Sequence, residues 1–223
     1  MTPASDFHIV FDFDGTLVDS REVGVQAYNR FAQERGLRPL TPELVAVFGD
    51  LTMRERCRAL NIRPWRLPWV LMHVGTYYRE AVAQIPFADG IPELLAELAR
   101  RGHTLSIVST NQERNIRAFL KMRGLEELIP RVVCSSRPGG KARLIRGLMR
   151  GEGISRHQVV YVGDEHRDVQ ACQKVGVRVI AVGWGLDVEW RLLDAKPDFM
   201  ARTPADLLEC LGRFSGPFLP QLS

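Results

Sequence analysis

The chain lacks most of the features that set a protein apart from ordinary globular ones. It has four cysteines in 223 residues, Cys57, Cys134, Cys172 and Cys210, widely separated and without a Cys-x-x-Cys pair. Neither a zinc site nor a disulfide framework is suggested, so each cysteine is expected to be a small core residue in a reducing compartment. No apolar run reaches the roughly 20 residues that a membrane helix needs, and the first residues have neither the basic start nor the long apolar stretch of a signal peptide. A cytoplasmic setting is the expectation. Charge of one sign is scarce too: 30 Lys+Arg against 26 Asp+Glu leave +4. An excess so small and scattered gives no argument for nucleic acid, but would favour an anionic metabolite. Arg100, Arg101, Arg117 and Arg123 read as residues of solvated helix faces.

The composition present is that of a folded domain, 45% hydrophobic and 25% charged, long enough for one large domain or for a core with a modest insert. Its most informative stretch is the apolar run Ile9-Val10-Phe11, which ends in Asp12-Phe13-Asp14-Gly15-Thr16. Residues two apart on a strand point the same way, so Asp12 and Asp14 emerge together at the strand's carboxyl end. Two such carboxylates repel unless a cation lies between them or one keeps its proton. A hard divalent ion such as Mg²⁺ fits, since it binds through one or two carboxylates plus substrate phosphate. Gly15 lets the backbone turn sharply and bring N–H groups close to an anion. The stretch reads as a metal-assisted phosphate site. A plain solvated Asp-Gly turn would not require Asp12 on the apolar strand.

After this strand, Val23, Ala27, Tyr28 and Phe31 recur at helical spacing up to a stop at Gly36. Thr41-Pro42 predicts a capped helix start, and Thr52-Met53-Arg54-Glu55 a capping box. Pro64 and Pro68 precede an aromatic-rich helix carrying Trp69, His73, Tyr77 and Tyr78. From about residue 89 helices and strands alternate. Helices are predicted over 92–101, 114–123, 141–150 and 167–175, and strands over 104–109, 131–134, 159–163 and 177–182. Short apolar strands alternating with helices imply a parallel sheet covered on both faces, whose ligands bind beyond the carboxyl ends of the strands.

Three further strand ends carry polar residues. Leu105–Val108 runs into Ser109-Thr110-Asn111, whose hydroxyl and amide groups could hold phosphate oxygens beside a helix N-terminus. Pro138-Gly139-Gly140-Lys141 opens a helix, and a lysine there opposes the macrodipole unless its ammonium pairs with something negative. Val159–Gly163 runs into Asp164-Glu165-His166-Arg167-Asp168, two acids about one helical turn apart; His166 between them reads as a partly exposed loop residue.

Together, Asp-x-Asp-Gly-Thr, Ser-Thr-Asn, Lys141 and Gly-Asp-x-x-x-Asp resemble the four motifs of the haloacid dehalogenase-like (HAD) hydrolase superfamily, in particular C1-capped phosphatases similar to phosphoglycolate phosphatases. The third motif departs from the usual pattern, with Gly-Gly-Lys where Lys-Pro is common. The resemblance implies an α/β fold, a doubly wound parallel-sheet (Rossmann-like) core, with a small all-helical cap inserted after the first strand. The expected division is residues 1–18 and 87–214 for the core, 19–86 for the cap and 215–223 for a poorly ordered tail. It further implies that Asp12 is the nucleophile, carrying a transient aspartyl-phosphate, and Asp14 the general acid and base. Asp12, Asp164 and the Asp14 backbone carbonyl would bind Mg²⁺, while Gly15, Thr110 (or the adjacent Ser109), Asn111 and Lys141 would hold phosphate. Asp168 would orient a water or Lys141. In the cap, Arg54, near the loop Gly49-Asp50-Leu51, is a candidate for gripping a substrate carboxylate. Trp65, Trp69, His73 and Tyr77 read as cap core rather than site lining.

Within the superfamily, Asp14 argues against dehalogenation, which needs no proton donor. Asp-Gly-Thr argues against phosphonatases, and Gly24 stands where sugar-phosphate mutases carry histidine. The expected function is a Mg²⁺-dependent phosphatase of a small phosphorylated metabolite, with no nucleic-acid or membrane partner. The alternatives are a non-catalytic or regulatory phospholigand-binding protein on the same fold, or a pyrophosphatase or phosphotransferase.

Overall fold

The structure, a computed structural model, describes residues 7–82, 85–135 and 140–214. Along it run β1 (His8–Phe11), α1 (Arg21–Arg35), α2 (Pro42–Phe48), α3 (Met53–Ala59), α4 (Leu67–Ala81), α5 (Ile91–Arg100), β2 (Thr104–Ser109), α6 (Glu113–Met122), β3 (Arg131–Cys134), α7 (Lys141–Glu152), β4 (Val159–Gly163), α8 (His166–Val175), β5 (Arg178–Val182), α9 (Glu189–Asp194), β6 (Phe199–Ala201) and α10 (Pro204–Phe214). The predicted strands and helices return within two residues of their expected limits. Elements α9, β6 and α10 follow the last strand read from the sequence and are new.

The six strands are all parallel, in the order β3-β2-β1-β4-β5-β6. Because side chains alternate along a strand, β1 must be apolar on both faces to sit at the centre. Ile9 and Phe11 pack with Leu95, Ile116, Phe119 and Leu207 on one side. Val10 packs on the other with Val108, Ile145, Tyr161 and Val169. This is the doubly covered parallel sheet expected from the pattern. The chain winds outward from β1 through β2 to β3, then returns to β4 on β1's other edge. The switch point of the topology therefore lies between β1 and β4, where such sheets bind ligands.

Helices α1 to α4 follow β1. Thr41 caps α2 by accepting from Leu44 N (3.4 Å), and Thr52 and Glu55 close the capping box of α3. Helices α1 and α4 lie along one another. Tyr28, Phe31, Leu60, Ile62 and Val70 form an apolar cluster separate from those of the sheet. Trp69, His73 and Tyr77 gather around Phe31, whereas Trp65 is exposed. The chain leaves and re-enters the sheet region side by side: Ala88 N donates to Leu17 O and Asp19 N to Pro86 O, both at 3.1 Å. All four cysteines are free; Cys134 is half-buried and the others buried. Among the described residues no helix is long and apolar enough to cross a membrane. Pro138, Gly139 and residues 215–223 lie outside the described residues.

Candidate active site

Asp12 continues the register of β1 by one residue: its N–H donates to Val162 O of β4 at 2.8 Å. Its carboxylate therefore stands, buried, at the carboxyl edge of the sheet beside the switch point. The chain then folds over on itself, with the N–H groups of Leu17 and Val18 donating to Phe13 O at 3.0 and 3.2 Å. Gly15 has φ of +78°, and a Cβ there would lie 2.2 Å from Asp164 Oδ2, so no other residue fits. Its N–H donates to Val18 O (2.9 Å); Gly15 thus serves the turn and the close approach of Asp164, and its own N–H is not free for phosphate as the sequence suggested. Asp164 follows β4 and is held from two sides, by Thr16 Oγ1 and Leu186 N, each at 2.7 Å.

Lys141 is the first residue of α7 and is buried. The cost of an ammonium at a helix start is offset by two carboxylates: Nζ donates to Asp12 Oδ2 and to Asp168 Oδ1. Glu165, also buried, pairs with Arg167. Oxygens of Asp12, Glu165 and Asp168 lie within 4.8 Å of one another. Counting Asp14 and Asp164, five acids face the two cations Lys141 and Arg167.

The titration of these groups follows from burial first and from their charged neighbours second. Burial pushes the Asp164 carboxyl well above the usual carboxylate range, and the charges of Glu165, Asp12 and Asp168 push the same way. Burial also raises Asp14, opposed by the Tyr78 hydrogen bond and reinforced by the charge of Asp12. For Lys141, burial works against the ammonium, but Asp12 and Asp168 outweigh it and hold the pKa above the ordinary lysine value. The unbalanced negative charge and the all-oxygen donor set fit a hard divalent cation.

Asp14 is half-buried, and its Oδ1 accepts from Tyr78 OH (2.5 Å) and its Oδ2 from Asn111 Nδ2 (2.8 Å), with the Ser20 hydroxyl also bonding the carboxylate. Asn111 is itself fixed, its Oδ1 accepting from Gln112 N (2.7 Å) and from buried Asn115 Nδ2 (3.0 Å). The Ser109 hydroxyl is buried and accepts from Asn111 N (3.1 Å). Half-buried Thr110 makes no side-chain hydrogen bond among the described residues.

The fold thus gathers Asp12, Asp14, Gly15, Asn111, Lys141, Asp164 and Asp168, with Thr110 at the end of β2. Arg54 is exposed on α3 and meets none of them. It is Arg56 that reaches across to the segment after β5, with Nη2 at 3.2 Å from Asp187 Oδ1. His166, expected in a loop, instead opens α8; its backbone N and ring Nδ1 both lie 2.9 Å from Asp187 Oδ2. Four residues escaped the sequence reading: Thr16, Glu165, Tyr78 and Asp187. Thr16 and Glu165 adjoin recognised motif residues, and that adjacency was the available signal. Tyr78 and Asp187 had none, since each meets its partner across long stretches of chain.

The model of the haloacid dehalogenase-like hydrolase family matches residues 9–182. A phosphoglycolate phosphatase of Synechococcus elongatus is 36% identical over 203 residues, covering 91% of this chain and 96% of that protein. The pyrophosphatase PpaX of Bacillus velezensis is 24% identical, covering 92% and 95%. Among solved structures, a predicted phosphatase from Clostridium acetobutylicum superposes with a TM-score of 0.80 at 20% identity, covering 94% of this chain and all of that one. CbbY from Rhodobacter sphaeroides in complex with phosphate gives 0.74 at 20% identity, covering 93% and 99%. The chain belongs to the haloacid dehalogenase-like hydrolase family. The expectation of a hydrolase of the phosphatase kind is borne out by these matches, and the expected α/β parallel-sheet fold by the structure.

Proposed function

We propose that this protein is a Mg²⁺-dependent phosphatase that hydrolyses a small phosphate monoester through an aspartyl-phosphate on Asp12. The observation that carries the reading is the buried Lys141 ammonium seated on Asp12 at the carboxyl edge of the sheet, with a half-open Asp14 two residues on. Lys141 places a buried ammonium directly against the Asp12 carboxylate, the group that acts as nucleophile in this reading. Asp12 attacks phosphorus in line while Asp14 gives its proton to the leaving oxygen, so the P–O ester bond breaks as the Asp12–phosphorus bond forms. Asp14, now a carboxylate, takes a proton from the water that cleaves the acyl-phosphate, restoring Asp12 and releasing phosphate. Thr110, Lys141 and the second amide hydrogen of Asn111 hold phosphate oxygens, a preorganised set of donors on the transferring group. Carboxylates of Asp12 and Asp164 and the Asp14 carbonyl would hold Mg²⁺, which supplies further positive charge for the phosphoryl oxygens. Asp168 aligns Lys141.

Residues 1–18 and 87–214 form the core in this reading, and 19–86 a cap that covers the cleft and helps exclude water. The similarity to a phosphoglycolate phosphatase supports a small anionic ester, and the free thiols are in keeping with the cytoplasm. The test is phosphate release from a panel of phosphometabolites that includes phosphoglycolate, sugar phosphates, nucleotides and pyrophosphate, with Mg²⁺ and with EDTA. Release is expected only with Mg²⁺, and Asp12→Asn should lower kcat by at least about a thousandfold. Unchanged release by Asp12→Asn would overturn the nucleophile. Preference for pyrophosphate would replace the monoester, and no release from any compound would favour a phospholigand-binding protein.

A further inference from the structure

The two oxygens of Asp14 are held by residues from two different parts of the chain. Asn111 belongs to the end of β2, whereas Tyr78 lies on α4, in the four-helix stretch. Tyr78 is buried, and its O–H is 2.5 Å from Asp14 Oδ1. A carboxylate has about four acceptor sites, so the bonds from Tyr78, Asn111 and Ser20 still leave a lone pair to face a ligand. A second observation shows that α4 is seated here rather than passing by. One turn before Tyr78, Gly75 lies so near Gln112, the residue after Asn111, that a Cβ would be 2.4 Å from its Nε2. The same Nε2 donates to Met72 O at 3.4 Å. Helix α4 thus meets the β2 end over successive turns, and Tyr78 is the hydroxyl it brings to Asp14.

We propose that Tyr78 is a positioning residue for the reaction, holding the Asp14 carboxyl in the place from which it hands its proton to the leaving oxygen. The inference rests on the phosphatase reading above. It makes proton delivery depend on the seating of α4: with the helix lifted away, Asp14 keeps Asn111 and Ser20 but loses the Tyr78 hydroxyl on Oδ1 and is held less firmly. Asn111 can only donate from Nδ2. The Tyr78 hydroxyl can donate to the carboxylate or accept from the acid, so it can stay bonded to Asp14 before and after the proton leaves.

The experiment compares wild type with Tyr78→Phe, reading kcat/KM for a series of phosphate monoesters whose alcohols differ in acidity. kcat/KM covers the steps up to departure of the alcohol, so it isolates the proton delivery. An ester with a good leaving group, 4-nitrophenyl phosphate, needs little proton donation, whereas an alkyl phosphate needs it fully. The expected result is a fall of roughly tenfold or more for alkyl esters and less than about twofold for 4-nitrophenyl phosphate, out of the 10²–10⁴-fold that a general acid typically contributes. Tyr77→Phe is the comparison. It deletes a hydroxyl from the same helix, but one that bonds Glu34, and it should leave the leaving-group dependence as in wild type. Thermal unfolding of each variant shows that it is folded. An equal loss for all esters, or no loss for any, would overturn the positioning role while leaving the phosphatase reading intact. Absence of turnover by the wild type on every ester would overturn the phosphatase reading and this inference with it.

Discussion

Lys141→Met should destabilise the protein as well as silence it. In the folded chain the ammonium, 4% exposed, touches Asp12 and Asp168, which are 3% and 0% exposed, and Glu165 lies in the same cluster. Methionine fills a similar volume without charge, so the change isolates the electrostatics. Removing one partner of a buried ion pair costs about 3–5 kcal/mol, because the carboxylates left behind have given up water and gained nothing. In a chain of this size each kcal/mol moves Tm by about 2–4 °C, so a fall of about 6–20 °C is expected by circular dichroism or calorimetry. Adding Asp168→Asn removes one of the uncompensated charges. The double variant should recover at least half of the lost Tm, a coupling of opposite sign to the single effects, while activity stays lost in both because Asp12 has no cation. A Tm for Lys141→Met within about 2 °C of wild type, or a double variant that falls by the sum of the singles, would refute the account.

The remaining expectations concern the metal, the Arg56–Asp187 pair between α3 and the segment after β5, and pH. Saturating Mg²⁺, at a hundredfold its Kd, should stabilise the wild type by about 2.7 kcal/mol; Asp164→Asn should lose most of that shift in a thermal titration. Thr16→Val removes the hydroxyl on Asp164 Oδ1 and should weaken Mg²⁺ binding by roughly 10–100-fold, read by isothermal calorimetry. Arg56→Met leaves buried Asp187 without its guanidinium and should cost about 1.5–3 kcal/mol in urea unfolding, less than a full ion-pair loss because His166 still bonds it. His8 is buried with Nε2 at 2.6 Å from Ser106 Oγ, and burial lowers its pKa below 6.5. Below pH 6.5 the unfolded chain takes up a proton that the folded chain refuses, so stability falls on acidification until the folded-state pKa is passed. Comparing urea midpoints at pH 7.5 and pH 5, His8→Phe should show a smaller loss than wild type.

What the sequence made legible was whatever is local. Asp12, Asp14 and Gly15 sit within four residues, and Asp164 and Asp168 within five, so strand period and turn chemistry sufficed to place them at strand ends. The sheet followed because β1, β2, β4 and β5 are apolar on both faces. Strand β6 escaped because three residues carry no period, although Thr203-Pro204-Ala205-Asp206 is a readable helix start: Asp206 N donates to Thr203 Oγ1 (3.2 Å) and Thr203 N to Asp206 Oδ2 (3.0 Å). Between Tyr77 and Tyr78 the sequence has no means of choosing. Their hydroxyls diverge because neighbours on a helix do not face the same way, and one ends on Glu34 and the other on Asp14. Arg54 and Arg56 pose the same problem on α3, where only the packed structure shows which arginine turns inward. Asp187 depends on a contact that spans 131 residues.

The central position of β1 also constrains how the chain folds. His8 pairs with Thr104 on one edge and Val159 on the other. The strand at the middle of the sheet is thus the first one synthesised, and both of its neighbours come late. Until Thr104 has been made, Ile9, Val10 and Phe11 belong to a strand with two open edges, a template for pairing with the wrong chain. The helices made in the interval can meanwhile gather Tyr28, Phe31, Leu60, Ile62 and Val70 without any residue from the sheet. Local contacts form sooner than distant ones. The helices between β1 and β2 are therefore expected to condense first, and Asp12 and Asp164 to meet last, when β4 closes against β1.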